Sequence, residues 1–229
     1  MAQADIQASP SPPPPSQAES VAVSVCQLIG AVLFSCGSAC FVRMAWVDDW
    51  VLPWRVGCVL WIGGCVPYLW PPLQQYLWPS PKQGALGSVD HASNACQVGA
   101  MLSWTAGSAF AFYDNLDTAV LVTNGSACLL CDALLQARQL RSAALSARKQ
   151  IALLTDLLVG VFYVIAGALG GYTTEVGLLR FGNCCWLVAS LLSCARPCLA
   201  FSVADCRARQ GRAAYSSPES STCNKSIVH

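Results

Sequence analysis

The sequence predicts an all-α integral membrane protein: six transmembrane helices arranged as three αα-hairpin repeats, with both termini cytoplasmic. Three observations lead there. Charge is scarce, with 13 Lys+Arg and 12 Asp+Glu making 11% of 229 residues against 55% hydrophobic, where a soluble domain carries about 25% charged residues. Mean hydropathy is +0.48. The apolar residues are also gathered into six runs, each within reach of the ~17–25 residues that a span requires. The net charge of +1 supplies no basic field for phosphates, which excludes a nucleic-acid binder.

Residues 1–20 hold Ser9-Pro10-Ser11 and Pro12 to Pro15, with Asp5 and Glu19 and no basic residue. This predicts a disordered tail of polyproline II character, and the lack of a positive n-region argues against a signal peptide. The apolar runs follow at about 21–42, 53–71, 95–113, 118–137, 150–172 and 177–200. The second is the shortest in apolar terms, with Pro53 and Arg55 at its start and Pro67, Pro71 and Pro72 near its end. An Arg so close to an end reaches the headgroups by snorkelling.

Short connectors (43–52, 114–117, 173–176) join the runs in pairs, and longer ones (72–94, 138–149) join the pairs. The chain therefore divides into hairpins at 21–71, 95–137 and 150–200, with a polar C-terminal tail at 201–229. Basic residues set the orientation. Lys82, Arg138, Arg141, Arg148, Lys149, Arg196, Arg207, Arg209, Arg212 and Lys225 lie on the side of the tails and long connectors. Arg43, Arg55 and Arg180 alone lie on the short-loop side, beside Asp48, Asp49, Asp114, Asp117 and Glu175. Ten against three places both termini in the cytoplasm. Trp46, Trp50 and Trp54 suit the outer interface, and Trp70 and Trp78 the inner one.

The runs repeat a pattern of small residues. Odd runs read Ile29-Gly30-Ala31, Val98-Gly99-Ala100 and Val159-Gly160-Val161, with Gly37, Ala106 and Gly167 seven residues beyond each glycine. Even runs carry the same beat from Gly57 to Gly64 and from Gly182 to Ala189; the fourth starts at Gly125 and places Asp132 at the small position. Seven residues are two turns, so each pair lies nearly on one helical face. Such faces let helix backbones approach closely in lipid, where no hydrophobic force acts between helices. A packing seam is thus the reading preferred over a ligand groove.

The stretch Gln27 to Val42 (QLIGAVLFSCGSACFV) followed by Val56 to Trp70 (VGCVLWIGGCVPYLW) resembles the YrhK-like domain, a short two-helix membrane unit with G-x-x-x-F-x-x-G-S style helices. The resemblance is best over 24–73. Over 95–138, Ala106-Gly107-Ser108 is offset by a residue, and over 151–200, Gly167-Ala168 stands in for Gly-Ser. The resemblance implies three degenerate copies in a small integral membrane protein of unassigned activity, with no catalytic residues to carry over.

Candidate chemistry is sparse. His91 and His229 are the only histidines, which argues against His-box metal sites and Cys-His chemistry; His91 reads as a solvated loop residue. Eleven of the fourteen cysteines fall inside apolar runs, where a Cys is a small, polarizable hydrophobe. Cys128 and Cys131 have the C-x-x-C spacing of a dithiol site, but lipid and the adjacent Asp132 disfavour a thiolate there. Cys184 and Cys185 point to different faces, and Cys198 and Cys206 lie among arginines, where palmitoylation fits. Asn124-Gly125-Ser126 and Asn224-Lys225-Ser226 spell glycosylation sequons in a span and on the cytoplasmic side, where neither is expected to be used. Asn124 and Asn183 are expected to hydrogen-bond between helices.

Asp132 and Asp156 are the sharpest signals, because an ionisable group inside a span is costly and by default functional. Their matching depths near the cytoplasmic ends of runs four and five suggest a pair facing across the second and third hairpins, sharing a proton or cation. Against that stands pairing with Arg138, Arg141, Arg148 or Lys149 and, for Asp156, the dipole of a helix N-terminus. The leading expectation is a non-enzymatic packing or assembly protein without cofactor or metal, whose partners are the lipid bilayer and a second copy or another membrane protein. The alternative is a small transporter or channel with an Asp132/Asp156 proton or cation pathway.

Overall fold

The computed structural model describes residues 17–46, 51–77, 87–113, 118–140, 146–172 and 175–199. All regular structure among them is helical: α1 (Gln17–Met44), α2 (Val51–Leu77), α3 (Ser88–Phe112), α4 (Thr118–Leu140), α5 (Ala147–Tyr172) and α6 (Val176–Ser193). The proline stretch, the acids of the first two short loops, Trp50, Trp78, Lys82, Arg141, Cys206, Cys223 and the tail at 201–229 lie outside the described residues.

Five of the six helices are long and apolar enough to cross a membrane. The sixth, α3, has the most polar start of the set. At 25 residues it is long enough, but Ser88, Asp90, His91, Ser93, Asn94 and Gln97 make its first third polar.

Helix limits also move. α1 starts at Gln17, inside the stretch expected to be disordered, because Gln17, Ala18 and Glu19 are good helix formers once the prolines end. α2 runs through Pro67, Pro71 and Pro72 to Leu77, and α3 begins at Ser88 rather than 95. Each overhang supports the other: Asn94 Nδ2 donates to Gln75 Oε1 at 2.6 Å, and Tyr76 OH donates to the His91 carbonyl at 3.0 Å. Packing between two adjacent helices here outweighs the donors that the prolines remove. At the other end α6 stops at Ser193, turns at Cys194 and resumes over 195–199. Pro197 cannot donate to the Ser193 carbonyl four residues earlier, which is where the helix breaks.

Each helix packs on its neighbours in sequence, and α6 returns to α1, closing a ring. Within the first hairpin the ring is tight because glycines receive aromatic rings. A Cβ at Gly30 would stand 2.4 Å from Tyr68, at Gly37 2.5 Å from Trp61, at Gly57 2.4 Å from Phe41 and at Gly64 2.7 Å from Phe34. In the second hairpin a Cβ at Gly125 would stand 2.5 Å from Trp104. Gly99 is looser, with Cys128 Sγ 3.7 Å away, and the close contact to α4 is made by buried Gly107 against Val122 rather than by half-buried Ala106.

In the third hairpin Gly182 faces Leu169 of α5, and Ala189 is fully buried. Gly160 and Gly167 depart from the pattern, meeting Leu130 and Thr123 of α4. These two glycines seal the second hairpin to the third.

Aromatic side chains fill the ring axis. Phe34, Trp61, Trp104 and Tyr163 are each 2% exposed or less, and Trp186 is 7% exposed. Trp61 stands at their centre, its ring centroid 4.6 Å from Trp186, 4.9 Å from Phe34 and 5.0 Å from Trp104. Most of these pairs are tilted or edge-to-face, the arrangement ring quadrupoles favour. The small-residue spacing predicts close helix approach and not this plug, whose signal in the sequence is one large ring near the middle of α1, α2, α3, α5 and α6.

Candidate functional site

Asp132 sits on α4 two turns beyond Gly125, so it presents to the same neighbour, α3. It is 6% exposed. Ser93 Oγ and Gln97 Nε2 donate to it from α3, the latter at 3.0 Å, and Gln136 Nε2 donates to both carboxylate oxygens at 3.1 Å from the next turn of α4. The donors are neutral hydroxyl and amide groups. A carboxylate thus occupies a packing position because the facing helix offers hydrogen bonds where the first hairpin offers the Phe34 ring to Gly64. The Asn94–Gln75 pair continues this polar layer to α2.

Asp156, on α5, makes an ion pair with Arg196 in the segment after α6, Nη1 to Oδ2 at 3.0 Å, with side chains 21% and 45% exposed. The two acids lie at the same end of the bundle, as their depths predicted. Each nevertheless has its own partners: Asp132 is bound inside the second hairpin and Asp156 inside the third. The cation on Asp156 is Arg196, outside the group of basic residues weighed from the sequence.

The ring seam between α6 and α1 is polar. Ser190 Oγ donates to the Trp186 carbonyl at 2.8 Å, which leaves it to accept from Ser38 Oγ at 2.9 Å and Tyr163 OH at 3.1 Å. Asn183 Nδ2 donates to the Phe41 carbonyl at 3.1 Å, and Arg180 Nε to the Ala45 carbonyl at 3.0 Å while its guanidinium lies 4.2 Å over Trp46. Asn124 donates to Ser103 Oγ of α3 at 3.3 Å. Both asparagines therefore bond between helices, as their positions suggested.

Trp54 donates to the Ala111 carbonyl at 2.9 Å, tying α2 to α3 at the short-loop end. Among the described residues, Trp61 Nε1 and Thr123 Oγ1 are buried without a hydrogen-bond partner. The N–H edge of Trp61 rests on Gly37, 3.1 Å from where a Cβ would stand.

All twelve described cysteines are free thiols, Cys128 half-buried, Cys131 and Cys198 exposed. His91 is exposed but helical, stacked on Tyr76 with ring centroids 6.0 Å apart; it was expected in a loop. The polar layer of Asp132, the aromatic plug and a cavity toward the short loops follow one another along the ring axis.

These features define an all-helical, multi-pass membrane protein by the length and apolarity of its helices. No family model, curated protein or solved structure matches the chain.

Proposed function

We propose that the chain is a non-enzymatic, multi-pass membrane protein built from three YrhK-like hairpins, acting in packing and assembly within the bilayer. The observation that carries this reading is the closed ring with aromatic rings on its axis. Phe34, Trp61, Trp104, Tyr163 and Trp186 stand between the polar layer of Asp132 and the short-loop end, so the axis holds packing rather than a polar path. The Gly30, Gly37, Gly57 and Gly64 contacts support a first hairpin that is a packed unit by itself.

The three-hairpin repeat and the cytoplasmic placement of both termini belong to the same proposal, supported by the ten-to-three division of basic residues. Protease protection of epitope tags at the two ends, in sealed vesicles of known orientation, tests the topology: both tags are cleaved or both survive. The activity reading is tested by a flux panel of ions and small solutes in proteoliposomes. Purified protein that moves a solute overturns it.

The second reading is a proton or cation pathway through Asp132 and Asp156. What favours it is a buried carboxylate inside a span whose donors, Ser93, Gln97 and Gln136, are all neutral. It requires that Asp132→Asn abolish a measurable flux while expression and fold persist.

A further inference from the structure

At the short-loop end, beyond the aromatic plug, the ring forms a half-open cavity of about 420 Å³ to which every helix contributes lining residues. This is within the ~300–1,000 Å³ range of small-molecule sites. Its floor and one wall are aromatic: Trp61 and Trp186 meet edge to face at 4.6 Å, and Phe41 and Trp54 lie 5.3 Å apart. None of the lining residues carries a charge. An ion seated against these walls would give up part of its hydration with no counter-charge to replace it, so the lining favours neutral molecules.

The space exists because small residues stand where large ones would close it. Ala111 of α3, Ala119 of α4 and Ala166 and Gly170 of α5 all line it. Gly170 differs from the packing glycines, because a Cβ there would meet a single neighbour, Trp186 Nε1, at an ordinary 3.6 Å. No helix contact requires a glycine at that position, and its effect is to keep the cavity open.

Two polar groups on the wall have fixed roles. Asn183 donates its Nδ2–H to the Phe41 carbonyl at 3.1 Å, so Oδ1 is the acceptor this side chain brings to the cavity. The Trp186 indole N–H lies beside Gly170 and is a donor. Three residues apart on α6, they share one helical face. Asn183 turns toward α1 and the Trp186 N–H toward α5, so the wall offers an acceptor and a donor at separate points, and a hydroxyl, which both donates and accepts, can pair with either.

We infer that this cavity is a binding site for a neutral, lipid-soluble ring compound bearing a hydroxyl group, held on the Trp61, Trp186 and Phe41 rings and hydrogen-bonded by Asn183 or Trp186. The site does not depend on the assembly role, and it stands even if that reading fails.

The test uses the full-length protein in lipid nanodiscs and a bromonaphthol as probe, whose bromine quenches a tryptophan it touches. Quenching by the probe saturates, with a component assigned to the cavity tryptophans. Bromonaphthalene, which lacks the hydroxyl, binds about tenfold more weakly, as expected for losing one paired hydrogen-bonding group. Naphthalene sulfonate and naphthyl trimethylammonium do not compete. Gly170→Leu fills the cavity and removes the saturable component, while Gly170→Ala, which fits the space, retains it. Ala111→Leu, on a different helix, repeats the loss should Gly170→Leu fail to fold. Quenching that never saturates, that survives both leucine variants, or that yields to either charged competitor overturns the assignment.

Discussion

Replacing Trp61 by alanine removes the ring on which the interior converges, and the loss can be worked out from its neighbours. Its centroid lies 4.6, 4.9 and 5.0 Å from the rings of Trp186, Phe34 and Trp104, with Tyr163 and Phe41 at 5.9 and 6.2 Å. Large-to-small changes of buried aromatics cost about 3–5 kcal/mol in water-soluble cores. Part of that is transfer from water, which weakens here because lipid tails are as apolar as the interior. What remains is the void and the ring pairs, each pair worth ~0.5–1.5 kcal/mol. The three closest pairs and the void together give about 3 kcal/mol, hence a fall in Tm of ~6–12 °C at 2–4 °C per kcal/mol.

A fluorogenic thiol probe provides the assay, since Cys58, Cys65 and Cys185, all 3% exposed or less, become reactive when helices separate. Trp61→Phe, which keeps a ring, loses less than half as much. Trp70→Ala, on a side chain 48% exposed, costs well under half of the Trp61→Ala loss. A Trp61→Ala midpoint within about 2 °C of wild type, or an equal loss from Trp70→Ala, refutes the view that the plug holds the ring together.

Glycine substitutions separate tight contacts from loose ones. Gly30→Ala sets a Cβ 2.4 Å from Tyr68 and 2.8 Å from the Gly64 carbonyl, and destabilises by about 1–3 kcal/mol; Gly99→Ala, with 3.7 Å of clearance, stays within about 0.5 kcal/mol, both measured by thermal melts. Asp132→Leu leaves the three half-buried donors Ser93, Gln97 and Gln136 unmatched between α3 and α4 and costs about 3 kcal/mol at ~1 each, the low end of the range for orphaned groups, more than Asp132→Asn, which retains an acceptor. Arg196→Gln breaks an ion pair whose members are 45% and 21% exposed; its effect is under about 1 kcal/mol and shrinks with added salt, seen by melting across ionic strengths.

Much of the architecture is legible in the sequence because the bilayer imposes it: an apolar run long enough to span becomes a helix. The ends of the helices are less legible. The α2 overhang rests on Gln75 and Tyr76 meeting Asn94 and the His91 carbonyl, a contact between residues that look like loop when read one at a time. The partner of Asp132 was, by contrast, readable. The seven-residue beat from Gly125 puts it on the face that the first hairpin's Gly57 and Gly64 turn toward their own hairpin mate, and α3 is that mate. Depth alone pointed to Asp156 instead. The plug is not legible in the same way, because a stripe of small residues says that something approaches closely, without saying that it is a ring.

The seam between α6 and α1 has a consequence for biosynthesis. Ser38 and the carbonyls of Phe41 and Ala45 leave the ribosome with the first helix, while Ser190, Asn183 and Arg180, which answer them, arrive only with the sixth. Until then the first hairpin, its glycines already matched by its own rings, sits in lipid with one polar edge uncovered. A nascent or truncated chain that lacks the last helix therefore displays a hydrogen-bonding stripe to the membrane, and that stripe distinguishes an unfinished molecule from a complete one.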